Sequence, residues 1–218
     1  MLVSARFISQ MWLICALLSV SAIASAAVTV LPSTHALSLV IKEVTGETYV
    51  PLLPANVSPH DFNLKPSHIR RLQKAELVVW LGPELEPYLA KVMLHIPKHK
   101  QFIINQGRSA LKYGEHPWTS PEYLLQGLQQ LSQHLNKPWS SKAWVQQMNN
   151  LHEELFFHRR ALQEKNQGYV VYHDGIGGFE AYFGLTHLAS FTNADDQPPG
   201  AKQLAMIEQL ANEQKVAC

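Results

Sequence analysis

Hydrophobic and polar positions along this chain follow two periods in turn, and the switch between them recurs from one end to the other. Val28 to Leu31 is a short apolar run, read as a strand, and Leu37, Val40, Ile41 and Val44 then fall at helical spacing between Ser33, a capping residue, and Gly46, a stop signal. Tyr49 to Leu53 predicts the next strand, followed by the turn-rich stretch Pro54 to Pro59. Pro66 opens a helix carrying Ile69 and Leu72, and Leu77-Val78-Val79-Trp80-Leu81 is an unbroken apolar run of the kind found in parallel strands covered on both faces. Pro83 starts another helix with Leu85, Leu89, Val92 and Ile96 on one side, and Phe102-Ile103-Ile104 is a fourth strand. Ser120-Pro121-Glu122 combines a cap, a first-turn proline and an acid, ahead of the stripe Leu124, Leu128, Leu131 and Leu135. Alternating strands and helices from Val28 to Leu135 imply a parallel, doubly wound sheet.

After Pro138 the pattern changes. Ser141 to Glu164 reads as one uninterrupted helix with Trp144, Met148, Leu151, Leu155 and Leu162 along one face. At 1.5 Å per residue it runs roughly 35 Å, long enough to cross a small domain as a spine. Strand and helix alternate again in Tyr169 to Tyr172, a helix around Phe179 to Phe183 closed by Gly184, a strand Leu188 to Phe191, a helix Gly200 to Asn212, and Val216 opening a further strand. The expected fold class is α/β, with two doubly wound lobes joined by one long helix and the second lobe incomplete. Residues 1–26 are expected to be a signal peptide, 27–138 the N-terminal α/β lobe, 139–166 the linking spine and 167–218 the start of the C-terminal lobe.

The signal peptide rests on Arg6 as the positive n-region, the apolar Met11 to Val20, and Ala24-Ser25-Ala26 as a small-residue cleavage site. No stretch reaches the roughly 20 apolar residues of a membrane-crossing helix. Bulky Ile14 before Cys15 argues against lipid attachment there, so the expected location is a soluble, exported compartment. Cleavage removes Cys15 and leaves Cys218 as the only cysteine, a lone thiol in an oxidising setting. With 18 Lys and Arg against 17 Asp and Glu, the chain has neither the charge imbalance of a nucleic-acid binder nor that of a disordered segment.

Charge is ordinary, but the 11 histidines are more than a chain of this size needs. Three of them, His60, His116 and His173, each sit just past a predicted strand, where ligands bind in open α/β sheets. Neutral imidazoles gathered from separate loops are a common zinc-ligand set, so a metal bound between the two lobes is expected. No His-Glu-x-x-His, Cys-x-x-Cys or calcium-spaced run of acids supports the site locally. Asp61 and Asp174 follow two of the candidate ligands and are placed either to orient the imidazoles or to cap the next turn. His35, His68, His95, His99, His134, His152, His158 and His187 are assigned to surfaces or caps.

The stretch Ser58-Pro59-His60-Asp61-Phe62-Asn63-Leu64-Lys65-Pro66-Ser67, running on to Trp80-Leu81-Gly82-Pro83-Glu84-Leu85-Glu86, closely resembles the periplasmic zinc-binding proteins of bacterial zinc-uptake ABC transporters, the ZnuA type. Val171-Tyr172-His173-Asp174 with Gly178-Phe179-Glu180 is similar to that family's third histidine segment, and Gln197-Pro198-Pro199-Gly200-Ala201-Lys202 is similar to the segment beyond it. The resemblance implies two α/β lobes joined by a long helix, Zn2+ bound in the cleft as cargo by His60, His116 and His173, and delivery to an ABC permease in the inner membrane. It implies a periplasmic binding protein and not an enzyme; a monomer is expected, and the balanced charge leaves no nucleic-acid partner expected. Three features depart from the family. Gln106 to Glu115 is short and holds no histidine where the family carries a flexible His- and acid-rich loop, and Pro117 and Thr119 alter the second ligand segment. The family chain also runs on past the position of Cys218, through a site-facing acid and a second cysteine that pairs with the first, which makes truncation the expected explanation of the lone thiol.

Two alternatives stand beside this reading. A truncated fragment could bind weakly or not at all. Three histidines and a water also describe a zinc hydrolase, for which Asp61 and Asp174 are the nearby candidate bases. A manganese-specific relative would be expected to carry a carboxylate in place of His173.

Overall fold

The computed structural model describes residues 29–55, 57, 62–106, 116–192 and 198–218. The proposed signal peptide, His60 and Asp61 lie outside the described residues.

Strands β1 (Val30–Pro32), β2 (Leu77–Trp80) and β3 (Gln101–Ile103) form a parallel sheet in the order β1-β2-β3. Every residue of β2 is buried, as its unbroken apolar run requires. On one face, Val79 belongs to a buried cluster with Leu37, Ile41 and Val44 of helix α1 (His35–Thr45) and Tyr123, Leu128 and Leu131 further along the chain. On the other, Val78 and Trp80 meet Leu72 of α2 (Pro66–Lys74) and Leu89 and Met93 of α3 (Pro87–Met93). The period-two alternation of β2 thus feeds two cores.

The segment at Tyr49 to Leu53, expected as a strand, forms none and bends at Leu52 and Leu53. Only the Leu52 and Leu53 amides donate to the β1 edge, to the Pro32 and Ser33 carbonyls at 2.7 and 2.9 Å. Thr34, rather than Ser33, caps α1, since the Ser33 amide continues the sheet by donating to the Val79 carbonyl. Gly46 ends α1 in the left-handed conformation, at φ 74°, as its sequence position suggests. The helix expected from Pro83 begins only at Pro87. Glu86 is fully buried there, and its Oε2 accepts from the Leu81 amide at 2.6 Å, so the intervening residues form a turn.

Helix α4 (Pro121–His134) is capped by Ser120, whose Oγ accepts from the Tyr123 amide. Helix α5 (Ser141–Glu164) has the length the sequence predicts, yet none of its residues is fully buried. Its apolar stripe, Trp144, Met148, Leu151, Leu155 and Leu162, is half-buried, so the spine rests on its neighbours instead of running through a core.

A second parallel sheet pairs β4 (Val170–His173) with β5 (Ala189–Thr192), and a single bridge from Gly168 to Val216 adds the start of a third strand on the other side of β4. Helix α6 (Gly177–Phe183) ends at Gly184, at φ 64°, and α7 (Ala201–Asn212) follows Gly200. The fold is thus α/β with two separate parallel sheets, separated in sequence by the long helix.

Candidate metal centre

His116 is buried and enters a turn of 3-10 helix, Pro117–Thr119. Its carbonyl accepts from both the Thr119 amide at 3.0 Å and the Thr119 hydroxyl at 2.8 Å, which fixes the backbone that carries the ring. The helix that follows is tied to the end of the first sheet. The Asn105 side-chain amide donates to the Tyr123 carbonyl at 2.7 Å, and the Tyr123 hydroxyl donates to the Ile104 carbonyl at 3.2 Å. Thr119, one of the two residues that depart from the family in this segment, is therefore used to hold the His116 carbonyl.

His173 is the last residue of β4 and pairs in register with Thr192 of β5, whose hydroxyl donates to the Tyr172 carbonyl. The chain then turns sharply, with the Gly175 amide donating back to the His173 carbonyl at 2.8 Å.

These two segments, the turn before α4 and the end of β4, bring the imidazoles together. The rings of His116 and His173 meet edge to face, with centroids 4.9 Å apart and planes at 81°. Two imidazoles sharing a zinc ion at bonds of about 2.0–2.1 Å and a tetrahedral angle have centroids about 5 Å apart. Gly175 lies against both: a Cβ there would come 3.1 Å from His173 Nε2 and 3.2 Å from His116 Nδ1, so both nitrogens border the same small volume. Trp118 stands edge-on to His116 with centroids 5.0 Å apart, limiting the ring's rotation.

Both histidines line a cleft of about 670 Å³. The start of α1, at Thr34, His35 and Ala36, also lines it, together with Leu53, Pro54, Ala55 and Val57. His60 lies outside the described residues. Among the described residues no cluster of three or more His, Cys, Asp or Glu side chains could hold a metal ion, so the pair needs a further ligand. Asp174 is exposed.

The histidines assigned to caps and surfaces divide. His68 does act at a helix start, its Nδ1 accepting from the Lys65 amide at 3.0 Å, and burial ahead of the nearby Lys65 and Arg71 charges lowers its pKa. His187 is not a surface residue. Its Nδ1 lies 2.9 and 3.0 Å from the two oxygens of buried Glu180, which also accepts from the His187 amide and the Tyr169 hydroxyl. Helix α6 is folded around that carboxylate, so its acid is internal and a local partner was needed. Sequence reasoning also missed His35 as a cleft residue. It follows the end of β1 by three residues, and the rule that marked the other three histidines marks it as well.

The family model for the periplasmic component A of the zinc-uptake complex, ZnuA, matches residues 30–218. The chain belongs to the ZnuA family. It is 30% identical over 214 residues to the high-affinity zinc uptake system protein ZnuA of Yersinia pestis, a match that covers 77% of this chain and 66% of that protein. To the protein of the same name from Haemophilus ducreyi it is 30% identical over 249 residues, covering 93% of this chain and 79% of the relative. The chain thus spans between about two thirds and four fifths of the length of these relatives. In fold it is similar to the AdcAII protein of Streptococcus pneumoniae, with a TM-score of 0.66 at 19% identity, over 86% of this chain and 77% of that one. ZnuA family membership and two parallel sheets that meet at a histidine-lined cleft agree with the fold read from the sequence.

Proposed function

We propose that this chain captures zinc in the periplasm and hands it to an ABC permease of the inner membrane, holding the ion as cargo between His60, His116 and His173. The observation that carries this reading is the 4.9 Å edge-to-face approach of His116, in the turn before α4, and His173, at the end of β4, with 56 residues of sequence between them. Two neutral imidazoles at this spacing can share one ion. The family names of the relatives supply the substrate, and nitrogen ligands favour zinc over manganese and calcium, which prefer oxygen.

On this reading residues 1–26 are the export signal, 27–138 and 167–218 are the two halves that contribute ligands, and 139–166 is the spine between them. A long, continuous helix limits hinge motion, so loading and release proceed by modest shifts of one loop or half. All three imidazoles come from one chain, so a monomer suffices. The role is capture and delivery rather than catalysis, with water or a carboxylate filling the fourth position on the ion.

The deciding experiment is calorimetric titration of the metal-free exported chain with zinc, alongside His116→Ala and His173→Ala. One ion per chain is expected for the parent, with affinity lower by at least about a hundredfold in each variant. A His116→Ala chain that bound zinc as tightly as the parent would refute the assignment.

A further inference from the structure

The cleft has a third histidine wall that the proposed ligand set leaves unused. His35, the first residue of α1, is exposed and lines the same space of about 670 Å³ as His116 and His173. It is not a resident ligand in this geometry, since among the described residues no three such side chains stand close enough to share an ion.

Its hydrogen bonding nonetheless prepares it to take a metal. The Ser38 hydroxyl has one proton, and it donates it to the His35 carbonyl at 2.7 Å. Toward the ring, 3.5 Å away at Nδ1, the same oxygen can therefore only accept. That contact favours the tautomer with the proton on Nδ1 and leaves the Nε2 lone pair available, one of the two forms in which histidine ligates. A cation held there also faces the positive end of the α1 dipole, which weakens its binding. A weak single-nitrogen site on the wall of the cleft is suited to a passing ion and not to a stored one.

We propose that His35 is the receiving ligand of the cleft, binding hydrated zinc at the mouth through Nε2 and passing it to the His116 and His173 pair, and taking it back on release. This rests on the zinc reading above. A group that touches the ion only in transit lowers the barrier in both directions and leaves the equilibrium alone.

The test is stopped-flow mixing of the metal-free full chain with free zinc, and of the loaded chain with a chelating indicator, for the parent, His35→Ala and His35→Asp. His35→Ala is expected to slow both association and dissociation by about threefold or more, with the dissociation constant unchanged within about twofold. His35→Asp, which keeps a ligand at the helix start, is expected to recover most of the rate. Unchanged rates in His35→Ala overturn the proposal. So does a loss of affinity of about tenfold or more, which would make His35 a resident ligand. Failure of His35→Asp to restore the rates also overturns it, because bulk rather than ligation would then explain the effect. A parent chain that binds no zinc, or a His116→Ala chain that binds it normally, is a failure of the functional reading and takes this inference with it.

Discussion

Gly178 in the first turn of α6 lies directly on Ser120, the N-cap of α4. A methyl at 178 would come 2.9 Å from Ser120 Cβ and 3.1 Å from its amide nitrogen. The chain leaving His173 and the chain leaving His116 are clamped together at this point, where only hydrogen fits. Gly178→Ala is expected to force the two segments apart, costing about 1–3 kcal/mol of stability and lowering zinc affinity with it. Thermal unfolding and zinc titration of the variant check both; an alanine tolerated in both measurements means that the two segments are not coupled here.

Gly175 acts on the ligands themselves. Its Cβ would stand 2.7 Å from His173 Cδ2, close enough to turn the ring. The residue has no positive φ, so alanine brings no backbone strain of its own. Gly175→Ala should therefore reduce zinc affinity by about tenfold or more while leaving the unfolding temperature of the metal-free chain close to that of the parent. Equal zinc affinities in the two proteins would mean that the ring positions are less constrained than the contact implies.

Zinc binding should depend on pH with a definite sign. A ligating imidazole must be unprotonated, so each ligand histidine that carries a proton in the free chain releases it on loading. Affinity is expected to fall as pH drops from about 7.5 toward about 5.5. A titration flat across that interval would contradict an imidazole site.

Glu180 organises the second sheet's helix by accepting from the His187 amide and the Tyr169 hydroxyl, with the His187 ring against both oxygens. Burial, ahead of the bond to Glu180, pushes the Tyr169 hydroxyl well above its ordinary pKa, so it stays a donor. Glu180→Ala leaves these partly buried groups without their acceptor and is expected to cost about 1–3 kcal/mol in denaturant unfolding. A variant as stable as the parent would show that water replaces the carboxylate.

Glu86 gives the fold a pH dependence of its own. Burial raises its pKa above the ordinary 4.5, with the bonds from the Leu81 amide and Tyr88 hydroxyl pulling the other way. Between the two values the folded chain keeps a proton that the unfolded chain has lost. Folding then takes up a proton, and stability declines as pH rises through that window. Glu86→Gln removes the titration, so urea midpoints at about pH 5 and about pH 8 should show the parent losing ground to the variant at the higher pH. Parallel behaviour would mean that Glu86 is ionised in both states.

The elements that read best in the sequence were those whose signals are local. Ser120-Pro121-Glu122 states its helix start without help from the rest of the chain, and Gly46 and Gly184 mark helix ends because their left-handed conformations, at φ 74° and 64°, suit a residue without Cβ. The four-residue buried strand β2 was legible because both its faces are covered. Where burial of a charged side chain decides, the reading failed. The helix expected at Pro83 starts late because Glu86 is drawn under the sheet to the Leu81 amide. His187 was placed on the surface because nothing next to it in sequence shows that Glu180, seven residues earlier, is buried beneath it.

The sequence by itself determined the alternation of strands and helices, the length of the spine and the short list of histidines positioned at strand ends, because each follows from periodicity and caps within a few residues. Only the tertiary structure decided that the ring of His116 meets that of His173, that Gly175 leaves room in front of both, and that His35 lines the same cleft. Those relations join residues far apart in the chain, and their distances are set by how two sheets pack, a quantity that no local pattern encodes.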